Sequence, residues 1–178
     1  MVRYLTQNLW LTAICGLIPF RAGWSAETVP AGYRAVAAEH GIPSTVLYAI
    51  ALTESGRSGI GRPWPWTLNV GGQGYFFDSR QAAWQALMKW LRAGRRSIDI
   101  GLMQVNWRYH KDRLGTPWQA LDPYHNLGVG AAILEACFHA RQDWWASVGC
   151  YHAPADPQRA ERYRHRGAAR WQRIVGAG

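Results

Sequence analysis

The sequence predicts a single, mostly helical domain that carries a small β-hairpin insert, so the fold class is all-α or α+β. Three observations support this prediction. The 178 residues are 48% hydrophobic and 17% charged, which is enough apolar chain for one core and too much for a disordered segment. Apolar residues recur at helical spacing in several segments. One glycine-rich stretch, flanked by two short strand-like runs, interrupts them. Neither an internal repeat nor an inter-domain linker is found.

The first 26 residues have the pattern of a secretory signal. Arg3 is followed by an apolar run at residues 9–20, and small residues surround Ser25 and Ala26. The run is too short for a comfortable transmembrane helix, which needs about 20 residues. We therefore expect residues 1–26 to be a signal peptide, residues 27–178 to form the domain, and no stable transmembrane span to remain after cleavage. Retention of the segment as an anchor stays open.

The first half of the domain is predicted as helix, insert, helix. A short helix covers 34–40, and a second at 44–54 has an apolar stripe and ends at Glu54. Glycines and prolines then prevent a helix, and strands are predicted at 66–70 and 75–77. Asp78 or Ser79 caps the next helix, which runs through residue 91.

The second half is predicted as helices throughout. Short helices are expected at 101–107 and 118–121, a central buried helix at 126–140, and another helix at 144–151. A basic C-terminal helix covers about 157–178. The formal net charge is +9, and it comes almost entirely from arginine, because Lys89 and Lys111 are the only lysines. This charge favours an anionic partner without choosing one.

The cysteines and histidines bear on covalent and metal chemistry. Cys15 lies in the predicted signal, so Cys137 and Cys150 remain as a pair on two consecutive predicted helices. An oxidising compartment favours a disulfide between them, with two buried free thiols as the alternative. No Cys-x-x-Cys occurs and the histidines are scattered, so we expect neither a metal site nor another cofactor.

Three short segments place polar side chains in apolar surroundings. A carboxyl group held partly out of water can keep a proton to donate, which makes the glutamate that ends the second helix a candidate general acid. Amide side chains can bind sugar hydroxyls and acetamido groups. Turn or cap residues with no catalytic role are the alternative interpretation. The candidates are Glu54 and Ser55 in the first segment, Asp99, Gly101, Met103, Gln104 and Asn106 in the second, and Tyr151 and His152 in the third.

Taken together, the Glu-Ser pair, Gly-Leu-Met-Gln at 101–104 and the later tyrosine resemble the soluble lytic transglycosylase family of lysozyme-like, peptidoglycan-cleaving enzymes. The resemblance runs from about residue 33 to 154. It implies a lysozyme-like fold, a periplasmic location and a cleft for the glycan strand. It also implies that Glu54 is the catalytic acid, that Ser55 assists its positioning, and that Gln104 and Tyr151 belong to the substrate site.

This chain departs from the family pattern at two places. His152 follows the tyrosine where the family commonly has asparagine, and the insert at 61–77 is longer than in simple members. The long insert resembles the branch associated with conjugation and type IV secretion, so such an apparatus is an expected partner beside the peptidoglycan glycan strands. We expect a monomer.

The family mechanism has Glu54 protonate the oxygen between N-acetylmuramic acid and N-acetylglucosamine, and then accept a proton from the C6 hydroxyl as a 1,6-anhydro ring closes. A hydrolytic goose-type muramidase is the first alternative, because Asp99 could activate water. A non-catalytic wall-binding assembly protein is the second. Nucleic-acid binding fits poorly with an export signal.

Overall fold

The computed structural model describes residues 28–176, so the predicted signal peptide lies outside the described residues. Within this range there are eight helices and two small antiparallel sheets, one of two strands and one of four, which agrees with the fold class that the sequence predicted. The elements in chain order are α1 (Ala31–Glu39), α2 (Ser44–Ser55), β1 (Gly56–Arg57), β2 (Arg62–Pro63), β3 (Thr67–Val70), β4 (Gln73–Phe76), α3 (Arg80–Arg92), β5 (Ile98–Ile100), β6 (Val105–Asn106), α4 (Trp107–Leu114), α5 (Pro117–Ala120), α6 (Pro123–Arg141), α7 (Trp144–His152) and α8 (Pro157–Val175).

Most of the helices begin at a side chain that accepts a hydrogen bond from the first helical turn. This holds for six of the eight helices in residues 28–176, and each such cap contributes about 1 kcal/mol. The predicted cap of α3 is confirmed as Ser79, whose side chain accepts from the Ala82 amide at 3.1 Å. The capping residues are Ser79, Asn106, Thr116, Asp122, Asp143 and Asp156.

The helix α2 is buried along most of its length. Every residue from Val46 to Leu52 is at most 5% exposed, so α2 is covered on all sides. It packs against α1 and α8, while α6 packs against α1 and α7. The disulfide predicted between Cys137 and Cys150 is confirmed and joins α6 to α7, with the two Cα atoms 5.9 Å apart. Glu54 therefore lies near the end of a helix that is packed by its neighbours along most of its length.

The sheet differs from the sequence prediction. The predicted hairpin is present, with Val70 paired to Gln73 across a turn at Gly71 and Gly72, but β4 begins at Gln73. The helix predicted at 101–107 is wrong. Residues 101–104 instead form a turn between two further strands, β5 and β6. The order of strands in the four-stranded sheet is β4-β3-β5-β6. The physical reason is the backbone at Gly101 (φ +80°) and Gln104 (φ +46°), since a right-handed helix needs negative φ.

None of the described helices is by itself long and apolar enough to cross a membrane. Only α1 and α2 together reach that length and composition, and they are bent by 117° where they meet.

Candidate active site

Glu54 lies in the last turn of α2 with its side chain 14% exposed. The hydroxyl of Tyr163, on α8, donates a hydrogen bond to Glu54 Oε1 at 2.5 Å. The Nδ1 atom of His152, at the end of α7, lies 3.8 Å from the same oxygen. Three helices thus bring a carboxyl, a phenol and an imidazole together, and the carboxyl is not completely closed off from solvent.

His152 and Tyr163 are stacked on each other beside the carboxyl. Their ring centroids are 4.2 Å apart and the ring planes differ by 2°. Tyr163 is only 1% exposed, so its ring cannot swing away from Glu54 without disturbing the core. The stack therefore fixes the direction from which both rings approach Glu54.

Ser55 attaches the end of α2 to the predicted Gly-Leu-Met-Gln segment. Its hydroxyl lies 2.8 Å from the backbone oxygen of Leu102 and 3.2 Å from that of Ala51, so it donates to them. Ser55 is 1% exposed. In this structure Ser55 holds the 101–104 segment against α2, while the side chain of its neighbour Glu54 remains partly exposed.

Residues 101–104 form a tight turn between β5 and β6. The turn passes directly over Asn126, because a Cβ on Gly101 would lie 2.5 Å from the Asn126 side-chain carbon. Asn126 is completely buried and accepts from the Met103 amide at 2.9 Å while donating to the backbone oxygens of Ile100 and Ala120. One side chain of α6 therefore holds the turn in place.

The remaining turn residues have distinct positions. Met103 is fully buried, and its backbone oxygen accepts a 2.6 Å hydrogen bond from the Tyr151 hydroxyl. Gln104 is partly exposed, and its side-chain amide donates to the backbone oxygens of Gly101 and Thr67. These two hydrogen bonds fix the orientation of the Gln104 amide group. Its Oε1 atom can therefore accept a hydrogen bond from a bound sugar.

Asp99, on β5, belongs to the same polar group. Asn106 donates to its carboxylate at 2.6 Å. Burial raises the pKa of Asp99, the Asn106 hydrogen bond opposes this increase, and the nearby charge of Glu54 adds to it. Asp99 therefore lies close enough to Glu54 for the Glu54 charge to raise its pKa.

Both tyrosines of the site remain neutral hydroxyls over the physiological range. Burial is the main cause that raises the pKa of Tyr151 well above its ordinary value, and the negative charges of Glu54 and Asp99 add to it. Burial likewise raises the pKa of Tyr163, followed by the charge of Glu54 and the hydrogen bond to it. Neutral phenols can act as hydrogen-bond donors at physiological pH.

The structure brings together all three segments that the sequence selected. Ser55 and Tyr151 donate to backbone oxygens of the 101–104 turn, and His152 lies beside the Glu54 carboxyl. Sequence reasoning missed Tyr163 and Asn126. Tyr163 carries a detectable signal, because it shares one helical face with Gly167 and Ile174 in an otherwise polar, arginine-rich segment.

No group of three metal-ligating side chains occurs within residues 28–176. The Glu54 carboxyl is contacted by a phenol and an imidazole, and the neighbouring 101–104 turn carries the amide of Gln104. These groups suit proton transfer and hydrogen bonding to a neutral polar ligand such as a sugar chain.

A lysozyme-like helical domain with one withdrawn glutamate is the class that this fold and site define. The family model described as the transglycosylase SLT domain matches residues 81–173, which is more than half of the chain. The chain therefore belongs to the transglycosylase SLT domain family, whose activity is the lytic cleavage of peptidoglycan. Comparison with curated proteins and with solved structures finds no match.

The matched range contains the 101–104 turn, Tyr151, His152 and Tyr163, but not Glu54 or Ser55. The family match therefore does not itself cover the candidate acid. Its contact with Tyr163 comes from the tertiary structure.

Proposed function

We propose that the chain is a lytic transglycosylase that cleaves the β-1,4 bond between N-acetylmuramic acid and N-acetylglucosamine, with Glu54 as its single acid and base. The observation that carries this proposal is the environment of Glu54. The carboxyl is mostly withdrawn from water, receives the Tyr163 hydroxyl at 2.5 Å, and adjoins the turn that bears Gln104.

The reaction needs two proton transfers by the same carboxyl. In the first, protonated Glu54 gives its proton to the glycosidic oxygen as the bond from that oxygen to C1 of the muramic residue breaks. The acetamido oxygen of that residue stabilises the positive charge at C1. In the second, the C6 hydroxyl oxygen bonds to C1 and its proton passes to the Glu54 carboxylate. No water is consumed, and Glu54 ends protonated as it began.

The neighbours of Glu54 support this double use. Tyr163 holds Oε1, which leaves the other carboxyl oxygen for the glycosidic oxygen and later for the C6 hydroxyl. A hydrogen bond to a carboxylate is stronger than one to a neutral carboxyl group, so Tyr163 stabilises the ionised state between the two transfers. Gln104 offers a fixed acceptor to the sugar hydroxyls or acetamido group.

Hydrolysis is the second candidate, and a specific observation keeps it open. The charge of Glu54 raises the pKa of Asp99 and that of His152 lowers it, so a second carboxyl lies close to the candidate acid. An ionised Asp99 with a water molecule on the far face of the sugar would give inversion and a reducing end. Its 2.6 Å hydrogen bond from Asn106 occupies one of its oxygens and disfavours this role.

Three finer assignments accompany the proposal. Residues 1–26 act as a signal peptide and residues 27–178 as the exported domain, which places the enzyme in the periplasm. The monomer is the working unit. The insert at 61–77, which forms β2, β3, β4 and their connections, supports a role in local wall opening for a conjugation or type IV secretion apparatus.

Mass spectrometry of the fragments released from purified peptidoglycan tests the reaction. Transglycosylation gives anhydro ends that are lighter by one water than the reducing ends of hydrolysis. Glu54→Gln should lower the rate by about 10² or more, the usual contribution of a general acid, while sedimentation with insoluble wall is retained. Glu39→Gln is the matched control, because Glu39 is an exposed glutamate at the end of α1.

Each outcome has a defined meaning. Reducing ends, together with loss of rate in Asp99→Asn, would support the hydrolytic candidate. Unchanged cleavage in Glu54→Gln would remove that carboxyl from the mechanism. Wall binding without any released fragment from the unaltered protein would support a binding or assembly role.

A further inference from the structure

One flank of α8 carries a continuous row of arginines that the reaction does not use. Successive members are separated by three, four, four and three residues, so at 3.6 residues per turn they fall within an arc of about 80°. The row extends about 21 Å along the helix. We call it the arginine row, and its members are Arg159, Arg162, Arg166, Arg170 and Arg173.

All five side chains are exposed, and no ion pair to any of them is found in residues 28–176. Arg164, which lies off the row, pairs with Glu161 at 2.6 Å. Like charges three and four residues apart destabilise a helix. The row therefore presents positive charge that no acidic side chain in the described part of the protein neutralises.

The row passes next to the candidate active site. The Arg166 guanidinium lies 5.4 Å from the centre of the Tyr163 ring, and Tyr163 donates to Glu54. The apolar face of α8 is packed inside the domain, since Gly167 is buried where a Cβ would lie 3.3 Å from the Val148 side chain of α7, and Ile174 packs with residues of α2. The helix consequently cannot lay this apolar face into a bilayer while the domain is folded, and the arginine row is the positively charged part of its exposed surface.

We propose that the arginine row binds the carboxylates of the peptide stems that hang from the glycan strand. The inference rests on the proposed function, because a muramic residue cleaved at Glu54 carries its stem at that point. The planar guanidinium fork matches a carboxylate. An extended stem of four residues spans at most about 14 Å. Arg173 lies about 10.5 Å along the helix from Arg166, so one stem can reach several members.

Peptidoglycan strands with and without stems give the direct test. The ratio of kcat/KM for intact strands to kcat/KM for strands stripped of stems by an amidase is measured for the full chain. The triple variant Arg159→Gln, Arg162→Gln, Arg170→Gln leaves Arg166 on Tyr163 and keeps residues of good helix propensity. With about a twofold effect for each exposed charge pair, the ratio should fall about tenfold.

Arg92→Gln is the matched control, since Arg92 is exposed at the end of α3, outside the row, and should leave the ratio unchanged. Circular dichroism melting checks that the triple variant is folded. An unchanged ratio in the triple variant would overturn the proposal, even if kcat/KM falls by the same factor on both substrates. Loss of binding to vesicles containing anionic phospholipid, with the ratio intact, would also overturn it and assign the row to a membrane surface.

The test separates this inference from the proposed function. Anhydro products that persist with an unchanged ratio would refute the arginine row alone. If neither substrate is cleaved, the proposed function fails. The arginine row is then tested by binding: the affinity for a soluble tetrapeptide stem is measured for Glu54→Gln and for Glu54→Gln combined with the triple variant. A weaker affinity in the combined variant supports the row, and an equal one refutes it.

Discussion

Asn126 is expected to decide both the stability of the domain and the shape of its site. The side chain is completely buried and makes three hydrogen bonds, one from the Met103 amide and two to the backbone oxygens of Ile100 and Ala120. In Asn126→Ala the Met103 amide loses its acceptor, at a cost of about 1–3 kcal/mol, and each carbonyl loses about 1 kcal/mol. The sum is about 4 kcal/mol.

This loss should be visible in thermal unfolding. A domain of this size loses about 3 °C in Tm per kcal/mol, so we expect a decrease of about 12 °C for Asn126→Ala. Asn69→Ala is the matched control. Its side chain also accepts from a backbone amide, that of Gly72 at 3.0 Å, but in the exposed hairpin turn, and about 1 kcal/mol or less is expected.

The rate of peptidoglycan cleavage by Asn126→Ala should also fall when it is measured well below the Tm. The turn held by Asn126 carries the backbone oxygens that accept hydrogen bonds from the Ser55 and Tyr151 hydroxyls. A decrease in Tm of less than about 3 °C, or one equal to that of Asn69→Ala, would show that the buried hydrogen bonds do not carry the assigned energy. Unchanged cleavage in a destabilised variant would show that the turn does not position the site.

Three further predictions concern titratable groups. Tyr163→Phe removes the donor to Glu54, so kcat should fall about 10- to 100-fold with little change in KM; an unchanged kcat would limit the tyrosine to packing. Burial raises the pKa of Asp99 in the folded protein, so its ionisation reduces stability as pH rises through that pKa. Asp99→Asn should therefore have the higher Tm at about pH 8 and lose this advantage at about pH 3, and a lower Tm at pH 8 would contradict it. The hydrogen bond with His40 lowers the pKa of Glu135, so its contribution is present above the ordinary glutamate pKa and is lost as pH falls through the folded one. The Tm deficit of Glu135→Gln should be largest near neutral pH and shrink as pH falls below the ordinary glutamate pKa, and a deficit that does not change with pH would point to packing rather than charge.

The helices could be read from the sequence because each follows from local chemistry. The apolar spacing of α2 and the run that becomes α6 are visible without tertiary information, as is Ser79 before α3. The pairing of Cys137 with Cys150 was predicted from the two cysteines that remain after the signal and from an oxidising compartment. The helices and caps depend on residues within a few positions of one another, and the cysteine pair depends on counting and compartment.

The strands β5 and β6 could not be predicted in the same way. Ile98–Ile100 has only three residues, and its partner Leu68–Val70 lies 30 positions earlier. The positive φ of Gln104 is unusual for a residue with a side chain, and the hydrogen bonds of that side chain to Gly101 and Thr67 accompany it. A helix assigned from local propensity at this position was therefore wrong.

The sequence by itself determined the helical class, the disulfide pair and the short segments from which a candidate site could be built, because periodicity, capping and residue chemistry are local properties. Only the tertiary structure decided that Tyr163 contacts Glu54 across 109 positions and that Asn126 carries the 101–104 turn. Such contacts arise when separate helices bury their apolar faces against one another. Their polar partners are then chosen by packing geometry, which no stretch of neighbouring residues encodes.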